Sequence, residues 1–179
     1  MSHPSTITQA TPIDVPALMT LTKACVTKMR ELGIDQWDDV YPNEELIAAD
    51  VAAGTVHVLR SDEGLIGCVT IDDKPDPNWK GLAWTTPDEG IAAVHRLMID
   101  PTQQGRGLAK ALMIHAESVG RSSGAHTIRL DAFTQNAPSL KLYEGLGYSR
   151  TGTAQMRKGA FIGFEKVLGS PATGPEADR

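Results

Sequence analysis

A chain of 179 residues, 41% hydrophobic and 22% charged, has the make-up of one ordinary globular domain with a substantial core and is too short for two. Its formal net charge of −5, from 17 basic and 22 acidic side chains without long runs of either sign, argues against broad binding to nucleic-acid phosphates and is compatible with a cationic substrate such as an amine. No apolar stretch approaches the roughly 20 residues that cross a bilayer, and no basic segment followed by an apolar run marks a secretory signal, so the expected location is cytoplasmic, without a membrane partner.

Residues 6–10 read as a short strand, and Thr11-Pro12 as a helix start. From Ile13 to Leu32 the residues Val15, Leu18, Leu21, Cys25, Met29 and Leu32 recur three or four apart, which makes one apolar helical face closed by Gly33. A second helix is expected from Asn43 to Ala53, with Asn43 as N-cap, Glu44 and Glu45 in its first turn and Gly54 after its end. Thr55–Arg60 and Leu65–Ile71 then read as a hairpin around Ser-Asp-Glu-Gly. The stretch from Asp72 to Gly90, rich in Pro, Asp, Gly and Trp, reads as a long loop. Ile91–Ile99 is the next strand, followed by a helix from Gly105 to about Arg121, a strand His126–Ala132, a short helix Asn136–Leu146, and strands Tyr148–Thr153 and Phe161–Leu168.

This order implies a mixed sheet flanked by helices in one α/β (α+β) domain, residues 1–168, with 169–179 as a disordered tail. Cys25 and Cys68 stand in no metal-ligand spacing and read as buried free thiols. No metal is expected.

The most informative stretch is Leu97-Met98-Ile99-Asp100-Pro101-Thr102-Gln103-Gln104-Gly105-Arg106-Gly107-Leu108-Ala109-Lys110. Here a strand enters a glycine loop that opens directly into an amphipathic helix. The first helical turn has unpartnered N–H groups and partial positive charge, which suits a phosphate. Gly105 and Gly107 remove side chains that would hold a ligand off the backbone, and Arg106 and Lys110 add positive charge. A dinucleotide loop would need Gly or Ala at position 110, where Lys110 stands, and no Gly-Lys-Ser/Thr run is present for a Walker A loop.

Gln104 to Ala109 resembles the acyl-CoA pyrophosphate signature of the GNAT superfamily of N-acetyltransferases, Gln/Arg-x-x-Gly-x-Gly/Ala, and the apolar run ending in Asp100-Pro101 matches the strand that precedes it there. Asn136-Ala137-Pro138-Ser139-Leu140-Lys141-Leu142-Tyr143-Glu144-Gly145-Leu146-Gly147-Tyr148 resembles the family's second block, with Ser139 where Ala is usual. The resemblance covers residues 55–168 well and the first 54 more loosely. It implies a GNAT fold, a sheet of six to seven strands splayed at the acyl-CoA site. It also implies acetyl-CoA as cosubstrate and direct acetyl transfer to an amine.

Residue by residue, the resemblance implies that the backbone of Leu97, Met98 and Ile99 pairs with the pantetheine arm. The amides from Gly105 to Lys110, with Gln104 at the entrance, would hold the pyrophosphate. Asn136 would bond the pantetheine or act as an N-cap, and Tyr143, on the same helix face, would protonate the leaving thiolate. For the general base the candidates are Glu89, Asp88 and His95. His95 and Arg96 alternate along one strand, so only one is expected to face the pocket. Trp37 and Tyr41 offer aromatic walls for the acceptor, with Trp79 and Trp84 nearby, and Asp35, Asp38 and Asp39 could attract a cation. The expected acceptor is a small-molecule amine. A protein N-terminus or lysine, or a non-catalytic acyl-CoA sensor, is the alternative, and the chain is read as a monomer or homodimer.

Overall fold

The computed structural model describes residues 5–169; most of the expected tail, 170–179, lies outside the described residues. The described chain holds strand β1 (Thr6–Gln9), helices α1 (Val15–Glu31) and α2 (Glu44–Ala52), strands β2 (Val56–Ser61), β3 (Gly64–Asp72) and β4 (Ile91–Ile99), helix α3 (Leu108–Ser122), strand β5 (Thr127–Phe133), helix α4 (Ala137–Gly145), and strands β6 (Ser149–Met156) and β7 (Gly159–Val167). The strands form one seven-stranded sheet in the order β1-β2-β3-β4-β5-β7-β6. Every neighbouring pair is antiparallel except β4 with β5.

Local chemistry sets the helix ends. Asp14 Oδ2 accepts from the Thr11 N–H at 2.8 Å before α1, and Gly33, at φ +74°, supplies the left-handed residue after it. Asn43 Oδ1 accepts from the Leu46 N–H at 2.9 Å to cap α2. The period-2 alternation of β2 sends Val56 and Val58 to the side of Leu18, Leu21, Ile47 and Val51 on α1 and α2. Leu59 goes to the other side with Leu112, Met113 and Ala116 of α3. Helices therefore cover both faces.

Helix α3 begins three residues later than its amphipathic pattern suggests. Gly105 and Gly107 sit at φ +78° and +79°, conformations that cannot lie inside a right-handed helix, so residues 105–107 form a turn in front of it.

The central seam positions the site. β4 and β5 pair in parallel only at Ile91↔Thr127, Ala92↔Ile128 and Ala93↔Arg129. Beyond Ala93 the strands part, although β4 continues to Ile99 and β5 to Phe133. Arg96 departs from strand geometry at φ +46°, and the β3–β4 register shifts between Cys68 and Thr70. This is a bulge that bends β4 away from its neighbour.

Candidate active site

Where β4 and β5 part, a cavity of about 850 Å³ opens. Its first wall is the entry to α3. The Ala111 N–H is the first to find an acceptor there, Gly107 O at 3.1 Å, which leaves the amides of Leu108, Ala109 and Lys110 directed outward. These three residues, with Gln104, Gly105 and Gly107, line the cavity. A methyl group on Gly107 would meet nothing within 4 Å, so glycine is required there by backbone conformation and not by space. Arg106 lies outside the lining and donates to the Gln103 side chain.

The second wall is the free edge of β4. Val94 to Ile99 face the cavity, and from residue 94 onward this edge has no ladder partner on β5. Its peptide groups are available to an extended ligand. His95 and Arg96 both line the cavity, contrary to the expected alternation, because the bulge at Arg96 breaks the period of two. Arg96 Nη1 donates to the Tyr41 hydroxyl at 3.0 Å and Nη2 to the Asp50 carboxylate, tying the α1–α2 connection to β4.

The third wall comes from β5 and α4. Asn136 caps α4, accepting from the Ser139 N–H at 3.3 Å, and its amide donates to Gln36 Oε1 at 2.9 Å. Tyr143 is 6% exposed and packs against Tyr148 and Phe164, yet it reaches the cavity. Burial, with the charge of Asp131 adding to it, raises its hydroxyl above the ordinary tyrosine range, so it is protonated at neutral pH.

Asp131, on β5, has a place here that the sequence did not announce. It lines the cavity with Asp76 and His95, and its Oδ2 accepts from Trp79 Nε1 at 2.6 Å. Burial, with the nearby Asp76 charge, raises its carboxyl, and the indole hydrogen bond opposes that shift. The same indole stacks on His95, 5.8 Å between centroids and 15° between planes. The sequence signal available was an acidic residue between Leu130 and Ala132 near the end of the strand, five positions before Asn136.

Glu89, the expected base, is exposed in the turn that leads into β4 and is not part of the cavity wall. The turn carries it to the paired end of the β4–β5 seam, away from the parted end. Asp88 is occupied by Arg129, at 2.7 Å. Trp37 and Tyr41 do line the cavity. Trp79 is buried behind Asp131, and Trp84 lies under the Arg129 guanidinium, 4.6 Å from its carbon to the ring centre. Asp35 and Asp38 are not free to attract a cation. Arg157 holds Asp38 through two hydrogen bonds of 2.8 and 2.9 Å, and Lys158 lies 2.7 Å from Asp35. Cys25 and Cys68 are buried thiols, with burial pushing Cys25 up to about 12. Among the described residues no group of three or more His, Cys, Asp or Glu could hold a metal ion. None of their helices is long and apolar enough to cross a membrane.

A mixed sheet parted at its centre beside a helix entry stripped to glycine defines an acyltransferase type of architecture, and the comparisons agree. The model of the Acetyltransferase (GNAT) family matches residues 20–148. The chain belongs to that family. Among solved structures, a GNAT-family acetyltransferase from Streptococcus agalactiae is similar with a TM-score of 0.80 at 23% identity, over 91% of this chain and 95% of that one. The PaiA N-acetyltransferase of Thermoplasma acidophilum, solved in complex with coenzyme A, gives 0.68 at 18% identity over 93% and 99%. A mycothiol acetyltransferase of Mycobacterium marinum is 32% identical over 109 residues, 54% of this chain and 32% of that protein. The match thus spans about a third of that relative's length.

Proposed function

We propose that this protein transfers an acetyl group from acetyl-CoA directly to the primary amine of a small cationic acceptor. The observation that carries this reading is the continuity of one cavity from the free amides of Leu108 to Lys110, past the Tyr143 hydroxyl, to the Asp131 carboxylate. Coenzyme A supplies the activated acyl group as a thioester. The α3 entry suits its pyrophosphate, with Lys110 adding charge, and the unpaired β4 edge at Leu97, Met98 and Ile99 suits its amide-bearing arm. Asn136 stands beside that edge.

Asp131 and Asp76 attract the acceptor's ammonium. Asp131 then takes a proton, which frees the nitrogen lone pair for attack on the acyl carbon. Tyr143 gives its proton to the departing sulfur and recovers one as the new amide loses its second N–H proton. Neither cysteine is poised for a covalent intermediate, since both thiols are buried and burial raises both well above a reactive thiol.

The roof favours a small acceptor over an extended polypeptide. The α1–α2 connection is tied to the β6–β7 turn through Asp38–Arg157 and Asp35–Lys158 and to Asn136 through Gln36, so the route along which a peptide would lie is bridged. Two measurements test the reading. Titration calorimetry with acetyl-CoA should give saturable one-to-one binding. Free-thiol release across a panel of amines and peptides should then appear with small cationic amines. Release only with peptide N-termini or lysines would transfer the protein to the polypeptide class, and binding without release would make it a sensor.

A further inference from the structure

A pair of imidazoles lies outside the cavity just described. His57, on β2, sits between Gln9 of β1 and Val69 of β3 in the sheet register, and its side chain turns to the face that α3 covers. His115 comes down from α3 to meet it. The two ring nitrogens, His57 Nδ1 and His115 Nε2, are 2.9 Å apart, with ring centres at 4.8 Å and planes inclined by 58°. Both side chains are partly buried, and neither lines the catalytic cavity. Nothing in acetyl transfer requires them.

We infer that His57 and His115 form a two-histidine site for a divalent ion that prefers imidazole, with Zn²⁺ as the reference ion, linking β2 to α3. Four considerations carry this. Two nitrogens bound to a tetrahedral ion at about 2.0–2.1 Å stand roughly 3.3 Å apart, so the observed pair need open by only a few tenths of an ångström. The rings come from two different elements held by packing on either side, so they converge before any ion arrives. Burial depresses the protonation of both rings, and for His57 the neighbouring ring adds to this, so the neutral form that binds metal prevails at neutral pH. Among the described residues no third His, Cys, Asp or Glu completes the group, which leaves the remaining positions to water. Such a site takes imidazole-seeking ions in preference to Mg²⁺ or Ca²⁺.

Binding conserves protons. In the free pair one ring donates its N–H to the other. When the ion enters, that ring's proton moves to its far nitrogen, and both rings coordinate as neutral ligands.

The test uses the full chain, without an affinity tag, and Zn²⁺ alone. Calorimetry should find one Zn²⁺ per chain, saturating below millimolar concentration, and melting should move upward with Zn²⁺ concentration but not with Mg²⁺. His57→Gln and His115→Gln, which keep a polar side chain at each position, should each weaken Zn²⁺ binding by about tenfold or more. Circular dichroism checks that both variants fold. Ring-nitrogen NMR of the unaltered protein gives an answer that does not depend on them: the signals of His57 and His115 should move on adding Zn²⁺, and those of His95 and His126 should stay. No binding up to millimolar Zn²⁺, unchanged affinity in both folded variants, or ring shifts confined to other histidines would overturn the site.

Discussion

Trp79 donates its indole N–H to the Asp131 carboxylate at 2.6 Å while its ring stacks on His95. One buried side chain, from the loop between β3 and β4, therefore orients two groups of the cavity at once. The hydrogen bond holds down a carboxyl that burial and Asp76 push up. In the proposed reaction, the balance between these effects sets the pH at which Asp131 could act as a base.

The first prediction follows from that balance. The raised Asp131 takes up a proton as pH falls through its shifted value, so activity should decline on the acid side, above the ordinary aspartate value of about 3.9. Trp79→Phe removes the donor and keeps an aromatic ring. It should move the acid limb of kcat/KM upward by about one to two pH units, since a hydrogen bond to a charged group contributes about 1.5–3 kcal/mol. Asp131→Asn should abolish that limb along with most of the turnover. An acid limb that Asp131→Asn leaves in place would assign the base elsewhere.

Tyr143→Phe should lower kcat by about 10²- to 10⁴-fold, the usual range for loss of a general acid, with acetyl-CoA affinity nearly unchanged. The ring packs among Tyr148 and Phe164, so phenylalanine preserves the core and isolates the hydroxyl. Single-turnover kinetics checks this, because slow product release could otherwise hide the loss.

Gly107 sits at φ +79° with open space where a side chain would start. Gly107→Ala should therefore cost about 1–2 kcal/mol through backbone conformation alone. Gly107→Asp should weaken coenzyme A binding further, by setting a negative charge beside the amides of Leu108 to Lys110. Calorimetry on both variants separates the two effects, and equal affinities would remove the electrostatic one.

Asp50 accepts from Arg96, whose side chain is 8% exposed. Asp50→Ala would leave that guanidinium buried with only the Tyr41 hydroxyl, and a broken buried pair typically costs about 3–5 kcal/mol. The melting temperature should fall well below that of Asp38→Asn, which weakens a pair whose Arg157 partner is half exposed and should cost much less. Asp38→Asn should instead admit longer acceptors, read as new activity on peptide substrates.

The legible parts of the molecule were those where main-chain geometry dictates residue identity. Gly105 and Gly107 could be read as backbone left bare for a ligand, though not as the left-handed turn they form before the helix, and Asn43 could be read because a helix start requires a short acceptor. The resemblance of the block from Asn136 to Tyr148 pointed to the wall that α4 gives the cavity. The acceptor end was hidden because its properties depend on partners far away in the chain. Asp131 gains its environment from Trp79, 52 residues earlier, and Asp38 loses its free charge to Arg157, 119 residues later. Glu89 looked suitable from its nearness to β4 in sequence, but direction along the strand puts it at the closed end of the seam. The joint exposure of His95 and Arg96 to the cavity depends on a bulge that no residue type there demands.

The parting of β4 and β5 after Ala93 means that the sheet is complete only over its first few rungs at the centre. A molecule that threads this gap finishes the hydrogen bonding of the fold as well as entering its chemistry. The resilience of the protein to heat and proteases should thus rise and fall with the supply of acyl donor, so that metabolic state sets the lifetime of the catalyst together with its rate.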